Sequence, residues 1–177
     1  MKKTLIYIAL LIVFFLIYFL QANFFSSFTI AGIKPNLFII FMLFIGLFSS
    51  NSFSLSIGVI GGLLIDSIYG SNIGITAVML CLIGYLGCIF DRNFSKENRY
   101  TIVLMVIGCT IIYEFGLYGL NCIISKFEME IAQFFKILSL EILYNSLLTI
   151  IIYPLFQKAG YAIESNFKRN NILTRYF

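Results

Sequence analysis

Long apolar segments separated by short polar ones make up most of this chain. Six segments are continuous in hydrophobic residues, and they run from Leu5 to Leu20, Pro35 to Phe48, Phe53 to Tyr69, Ile73 to Phe90, Tyr100 to Ile124 and Gln133 to Phe156. A helix of roughly 20 residues crosses the bilayer core, and these segments lack the alternation of membrane strands. The pattern therefore predicts an all-α integral membrane protein with six transmembrane helices in one bundle, forming a single domain over residues 1–177. The second and third segments are short, so we expect them to tilt little or to thin the bilayer locally.

Composition supports membrane insertion and excludes several other classes. Hydrophobic residues make up 60% of the chain and charged residues 11%, with a mean hydropathy of +0.99. About a quarter of the residues of a soluble domain are charged, which is more than twice the share in this chain. The net charge of +4 comes from dispersed basic residues, so nucleic acid is not expected as a partner. The four cysteines form no C-x-x-C motif and there is no histidine, so they are interpreted as small buried hydrophobes, and no metal or cofactor is predicted.

The amino-terminal segment could be mistaken for a secretion signal. Lys2 and Lys3 precede an apolar run that ends at Leu20-Gln21-Ala22. The run is longer than a usual signal core, and Leu20 stands where a cleavage site needs a small residue. We interpret it as an uncleaved first transmembrane helix.

Basic residues predict the orientation of the bundle. If both termini are cytoplasmic, nine basic residues lie inside, at positions Lys2, Lys3, Arg92, Lys96, Arg99, Lys158, Lys168, Arg169 and Arg175. Only Lys34, Lys126 and Lys136 then lie outside. Because cytoplasmic loops carry the excess of lysine and arginine, both termini are predicted on the cytoplasmic side of a bacterial plasma membrane. The residues after Gly160 are expected to form either a short amphipathic segment on the inner leaflet or a plain basic tail.

Small residues recur at helical spacing in the third and fourth segments. Ser54, Gly58, Gly62 and Asp66 are four residues apart, which places them on one helix face. The fourth segment has a second small face, made of Gly74, Ala77, Cys81, Gly84 and Cys88. Small faces let helix backbones approach closely in lipid, so the two helices are expected to pack together across a tight turn. The alternative is that one face contacts another protein.

Three acidic residues lie within apolar segments and need an explanation. Asp66 ends the small face of the third segment, Glu114 shares a face with Tyr118 and Asn121, and Glu141 lies one turn before Asn145. An ionised, unpaired carboxylate costs several kcal/mol in hydrocarbon, so each should be protonated, partnered or facing water. Three interpretations stay open: a structural cluster that fixes helix register, a proton or substrate path, and contact with a partner's transmembrane helix.

No arrangement typical of an enzyme occurs in the sequence. There is no histidine base, no G-x-S-x-G or H-E-x-x-H motif, and no glycine-rich phosphate loop followed by lysine. An aspartyl membrane protease needs two aspartates within the membrane, and only Asp66 meets that condition. We therefore predict a protein without catalytic activity.

Several motifs, taken in order, resemble those of the rod shape-determining MreD family. Phe19-Leu20-Gln21 and Pro35-Asn36-Leu37 are similar to its first two signatures. The central motif is similar to Gly58-x-x-x-Gly62-Leu63-Leu64-x-Asp66, followed by Gly74 and Gly84-Tyr85. Asn145 is similar to the family's late asparagine. The match is strongest over residues 15–90, and the fifth helix carries nothing diagnostic.

The resemblance implies a function in bacterial cell shape. Members of the family are membrane proteins of the elongation machinery that bind MreC, a single-span protein, and help couple MreB filaments to peptidoglycan synthesis. Their fold is similar to that of the substrate-binding subunits of energy-coupling-factor transporters. The candidate helix-packing or partner-contact residues are Gly58, Gly62, Asp66, Gly74, Gly84, Glu114, Glu141 and Asn145.

Two other functions stay open from the sequence. A substrate-binding subunit of a vitamin transporter is the main alternative, but such subunits usually dock their partner through an A-x-x-x-A face on the first helix, where this chain has only Ala9. A holin or other pore-forming protein is disfavoured by six spans and by the asymmetric placement of the polar residues. Copurification with a vitamin or with a single-span coiled-coil protein would separate the first two.

Overall fold

The computed structural model describes residues 2–69, 72–125 and 130–167 and is all-helical, with 87% of residues in helices. Over the described residues no strand forms, apart from an isolated bridge between Ile30 and Ile33. We number six helices in chain order: α1 (Lys2–Phe19), α2 (Leu37–Phe48), α3 (Asn51–Tyr69), α4 (Ile75–Asn93), α5 (Arg99–Ser125) and α6 (Ile131–Phe167). A π-helical turn (Leu20–Phe24) and one short α-helical turn (Phe25–Ser27) extend α1. The prediction of an all-α membrane protein is therefore confirmed.

Five of the six predicted spans are long and apolar enough to cross a membrane, and the second is not. Helix α2 begins at Leu37, two residues after Pro35, and has 12 residues. At 1.5 Å per residue it is about 18 Å long, which is well short of a bilayer core of about 30 Å. The expectation of six transmembrane helices is thus not confirmed, because this segment, predicted to be short, combines non-helical chain with a helix of 12 residues.

Helix α2 forms the centre of the bundle. All 12 of its residues are buried, and it packs against α3, α4, α5 and α6. A helix that is apolar on every side is stable only when other elements surround it, which explains why this segment has no polar face. The chain reaches α2 through a tight turn in which Ala31 and Gly32 have positive φ angles of 52° and 81°.

Helix α1 lies at the edge of the bundle. Its buried residues are Leu10, Phe14 and Ile17, while most of its other described hydrophobic side chains are exposed. The centre of the Phe14 ring lies 5.2 Å from the centre of the Phe38 ring of α2. The Phe14 ring also packs directly against Gly61 of α3. In a membrane the exposed face of α1 is therefore available to lipid or to a partner helix.

Lys96 ties together three helices at one end of the bundle. Its Nζ lies 2.8 Å from Asp91 Oδ1 and 2.6 Å from Glu164 Oε1, and it also donates to the Leu47 carbonyl oxygen at 3.5 Å. The ammonium group lies 4.7 Å from the centre of the Phe48 ring, and only 15% of the Lys96 side chain is exposed. The loop between α4 and α5 thereby closes the end of the short central helix.

We expect Lys96→Met to destabilise the protein by about 2 kcal/mol, as is typical when a hydrogen bond to a charged group is lost. Burial lowers the pKa of Lys96, but the hydrogen bonds and charges of Asp91 and Glu164 together raise it above its ordinary value of 10.5. The stabilisation is thus present below pH 10.5 and is lost as the pH rises through the folded-state value. Thermal unfolding in detergent measures both effects, with the exposed Lys158→Met as the control. Equal melting temperatures for the two variants at neutral pH would contradict the expectation.

Helix α6 is longer than predicted and continues to Phe167 through Pro154. Beyond Pro154, the Phe156 ring stacks on Phe44 at 4.7 Å and Tyr161 packs edge-on against Phe48 at 5.5 Å. The residues after Gly160 are therefore helical as far as Phe167, and the part of the predicted amphipathic or basic tail at 168–177 lies outside the described residues. Lys126, which counts among the outer basic residues, also lies outside them.

Candidate functional site

The small faces of α3 and α4 lie against each other. A Cβ built at Gly58 would lie 2.9 Å from the Cα of Cys81, and one built at Gly62 would overlap the backbone of Ala77. The Cys81 thiol also donates to the Leu55 carbonyl oxygen at 3.4 Å. In lipid, such close backbone approach gives dispersion contacts that larger residues would prevent. The structure therefore uses these two glycines within the bundle.

The small face of α4 also meets the central helix. Gly84 lies beside Ser54 of α3. A Cβ built on Gly84 would also lie 2.9 Å from the Met42 Cε of α2. One turn further on, a Cβ at Gly87 would lie 2.7 Å from the Leu43 carbonyl oxygen of α2. Gly46 of α2 faces Gly87 at a similarly close approach. Sequence reasoning missed this second contact, although the run Gly84-x-x-Gly87 is visible in the chain.

Asp66 is placed at the turn between α3 and α4. It is 1% exposed, and its Oδ2 accepts a hydrogen bond of 2.7 Å from the backbone N–H of Gly74. Gly74 is the residue that precedes α4, and its φ of +100° strongly favours glycine. A carboxylate at this position also interacts favourably with the helix dipole of α4. The two candidate residues thus act together to close the turn.

We expect Asp66→Asn to be tolerated and Asp66→Leu to destabilise the protein. Asparagine retains an oxygen that can accept the Gly74 N–H bond, whereas leucine leaves that N–H unpaired at a cost of about 1–3 kcal/mol. The measurement is the thermal stability of both variants in detergent. If asparagine is as damaging as leucine, the negative charge itself is required, and the prediction that Asp66 acts mainly through its hydrogen bond is wrong.

Asn145 is the centre of a polar network beside the beginning of α2. Its Oδ1 accepts a bond of 2.8 Å from the backbone N–H of Asn36, and its Nδ2 donates to Thr110 Oγ1 at 3.1 Å. Thr110 donates in turn to the Val106 carbonyl oxygen, and Thr149 to the carbonyl oxygen of Asn145. Asn145 is 1% exposed, so this one side chain of α6 bonds, within the core, to α5 and to the residue that precedes α2.

Glu141 and Glu114 are brought together one turn from Asn145. Their side chains interact between α5 and α6, and Asn36 and Asn145 also interact with Glu141. Tyr113, which is 4% exposed, lies within the electrostatic range of both glutamates and of Asp66. Two ionised carboxylates so close together in an apolar bundle would repel each other, so we expect this pair to carry at most one negative charge.

The structure separates the other residues on the predicted face of Glu114. The Tyr118 ring lies 4.9 Å from Phe134 of α6, and Asn121 accepts a bond of 3.4 Å from Asn72 near the beginning of α4. Sequence reasoning missed Thr110 and Tyr113 as members of the network. Thr110 could have been found, because it lies four residues before Glu114 and hence on the same helix face.

Comparisons with known proteins point to one family. A family model described as rod shape-determining protein MreD matches residues 2–159 of the 177-residue chain. The searches of curated proteins and of solved structures found no match. The matched range includes every candidate residue at the contact between α3 and α4 and in the polar network around Asn145.

Proposed function

Because the chain belongs to the rod shape-determining protein MreD family, we propose that it is a non-enzymatic membrane scaffold of the machinery that elongates bacterial cells. The observation that carries the proposal is the family match, which covers residues 2–159. A tightly packed, all-helical bundle is consistent with a scaffold, because buried polar side chains such as Asn145 and Asp66 hold separate elements together.

The proposed partner is an MreC-like single-span protein, together with other membrane proteins of the elongation machinery. Through this partner the scaffold would help couple MreB filaments to peptidoglycan synthesis. The exposed apolar faces of α1 and α3 offer sites where a transmembrane helix could replace lipid. We also propose that the fold of this chain is similar to that of the substrate-binding subunits of energy-coupling-factor transporters.

The experiment is copurification from bacterial membranes with a candidate single-span protein carrying a predicted coiled coil. Wild-type protein should recover it in detergent, and cells lacking this chain should lose their rod shape. Recovery of a bound vitamin with an energy-coupling transporter module, and no effect on shape, would favour the transporter subunit instead. Absence of both results would contradict the scaffold proposal.

We further propose that the chain crosses the bacterial inner membrane six times with both termini in the cytoplasm. On this topology Arg92, Lys96 and Arg99 lie at the cytoplasmic end, beside the end of α2, while Lys34 lies at the outer end. The second crossing consists of α2 and the partly buried non-helical residues 33–36 before it. Residues 28–32 are exposed, so we place them at the outer interface, because non-helical chain within the hydrocarbon must be surrounded by protein.

A membrane-impermeant thiol reagent tests this topology in a background from which the four native cysteines have been removed. A cysteine placed at Ser27 should react from outside intact cells, and one placed at Ser95 should react only after permeabilisation. Labelling of the Ser95 position in intact cells would reverse the proposed orientation.

A further inference from the structure

The connection between α4 and α5 carries two exposed arginines and two exposed aromatic side chains. Arg92 lies in the last turn of α4 and Arg99 begins α5, so both lie at the same end of the bundle. Phe94 is 55% exposed and Tyr100 is 83% exposed. We call these four residues the basic–aromatic patch. Basic and aromatic side chains are both enriched where a membrane protein meets the membrane surface.

The two carboxylates bound at this end of the bundle are directed to Lys96. Its Nζ lies 2.8 Å from Asp91 Oδ1 and 2.6 Å from Glu164 Oε1. Within the described residues these are the ion pairs that form, so neither Arg92 nor Arg99 has a carboxylate partner there. The two guanidinium groups therefore present positive charge to the surroundings of the protein.

The charge of this end is complementary to an anionic surface. On the topology proposed above, nine basic residues lie on this side against three acids, Asp91, Glu97 and Glu164. Anionic phospholipids attract basic segments at a membrane surface, and the attraction increases with each lysine or arginine. Because the helices on both sides of the patch are themselves embedded in lipid, the headgroups nearest to it are those of the same leaflet.

Contacts with α6 hold the patch in a fixed position. The Tyr153 hydroxyl lies 2.8 Å from the Glu97 carbonyl oxygen and 3.2 Å from that of Lys96, and it donates to them. The Arg99 guanidinium carbon lies 5.7 Å from the centre of the Tyr153 ring, and Tyr153 is only 3% exposed. Arg99 thus rests on a buried surface, so binding a ligand costs it less conformational entropy.

The aromatic side chains connect the patch to the lipid-facing surface of the bundle. The Phe94 ring packs edge-on against Phe90 of α4, with the ring centres 5.9 Å apart. Tyr100 lies one turn before Leu104, which is 69% exposed, and Phe115 continues the same exposed face of α5. An acyl chain along this face would place its headgroup beside Tyr100.

We propose that the basic–aromatic patch binds the headgroup of an anionic phospholipid. The phosphate accepts hydrogen bonds from the guanidinium groups of Arg92 and Arg99, and the acyl chains lie along the face of α5 that contains Tyr100 and Leu104. This contact fixes the depth of α4 and α5 in the leaflet. It is additional to the scaffold function and does not depend on the identity of the protein partner.

Fluorescence quenching by brominated lipids tests the proposal in the full-length protein. The chain has no tryptophan, so Leu104→Trp introduces a single reporter one turn from Tyr100. The variant is reconstituted into phosphatidylcholine vesicles that contain increasing shares of dibrominated phosphatidylglycerol or, in a matched series, dibrominated phosphatidylcholine. We expect the anionic lipid to bind about five- to tenfold more strongly at low ionic strength, and salt to reduce this preference.

A second reporter shows whether the preference is local. Phe115→Trp places the tryptophan on the same exposed face of α5, about 17 Å further along the helix. This position should be quenched equally by the two brominated lipids, because the basic–aromatic patch lies at the other end of α5.

Three substitutions, each combined with Leu104→Trp, identify the residues. Arg92→Gln and Arg99→Gln should each lower the preference by about two- to fivefold, and the two together should abolish it. Lys158→Gln removes an exposed charge at the same end, on α6, and should leave the preference unchanged. All three positions are exposed, where substitutions usually change stability little.

Three results would overturn the proposal. Equal quenching of Leu104→Trp by the two lipids would mean that the patch does not select anionic headgroups. An equal effect of Lys158→Gln and of either arginine substitution would mean that the preference reflects only the overall charge of this end. Loss of the preference in millimolar inorganic phosphate, at matched ionic strength, would mean that the arginines bind a soluble anion instead of a lipid.

Discussion

Gly62→Leu is expected to prevent the protein from being recovered in a folded state. Even the Cβ of a new side chain would overlap the Ala77 backbone of α4, which cannot move aside as a flexible side chain could. Separating α3 from α4 would also break the hydrogen bond between Asp66 and Gly74. We expect a loss of at least about 3 kcal/mol, at the upper end of the cost of overpacking.

A glycine that faces open space provides the matched control. Gly108 of α5 has no atom within 4 Å of a built Cβ, so Gly108→Leu makes the same change in composition without a clash. The measurement is the fraction of monodisperse protein after membrane extraction, followed by its melting temperature. Gly108→Leu should behave like the wild type, while Gly62→Leu should aggregate. Equal recovery of the two variants would mean that α3 and α4 do not pack closely through Gly62.

Asn145→Leu is expected to give the second largest loss of stability. Leucine has nearly the same size but cannot accept the Asn36 N–H bond or donate to Thr110. The Asn36 N–H would then be left unpaired beside the buried α2, and Glu141 would lose the interaction with the Asn145 amide. The unpaired Asn36 N–H, at about 1–3 kcal/mol, and two further lost interactions, at about 1 kcal/mol each, should lower stability by roughly 3–5 kcal/mol.

The test compares two polar-to-leucine changes on the same helix. Ser139 of α6 is exposed and, among the residues that the structure describes, bonds only to the Phe135 carbonyl oxygen of its own helix, so Ser139→Leu should leave the melting temperature nearly unchanged. Asn145→Leu should lower it strongly, by about 6–20 °C for a chain of this size. A shift no larger than that of Ser139→Leu would show that water replaces the Asn145 side chain, and that the network does not stabilise the start of α2.

Gly62 and Asn145 stabilise different parts of the helix bundle. The close contacts of Gly58 and Gly62 determine how closely α3 and α4 approach, and Asn145 determines where the short central helix begins. A scaffold needs both, because a partner's helix can recognise only a surface whose helices are held in fixed positions. For a variant that combines Gly58→Ala with Asn145→Leu, we expect the losses of stability from the two substitutions to add. The contacts described for Gly58 and for Asn145 involve different residues.

Patterns along the chain are sufficient to predict the class of the protein and much of its local structure. Continuous apolar runs without alternation lead to helices, because only internally hydrogen-bonded segments are stable in lipid. The four-residue spacing of Gly58, Gly62 and Asp66 indicated one packed face, and the order of the motifs pointed to the family that the family model also identifies. Each of these inferences depends on residues close together in the chain.

Contacts between residues far apart in the chain could be learned only from the folded protein. The run from Pro35 to Phe48 is apolar enough for a lipid-facing span, but hydropathy cannot tell burial in lipid from burial in protein, and the structure makes it a short helix enclosed by four others. The pairing of Glu114 with Glu141, and the bond from Asn36 to Asn145, join positions 27 and 109 residues apart. Such contacts follow from which helices become neighbours, and no local pattern in the chain specifies that.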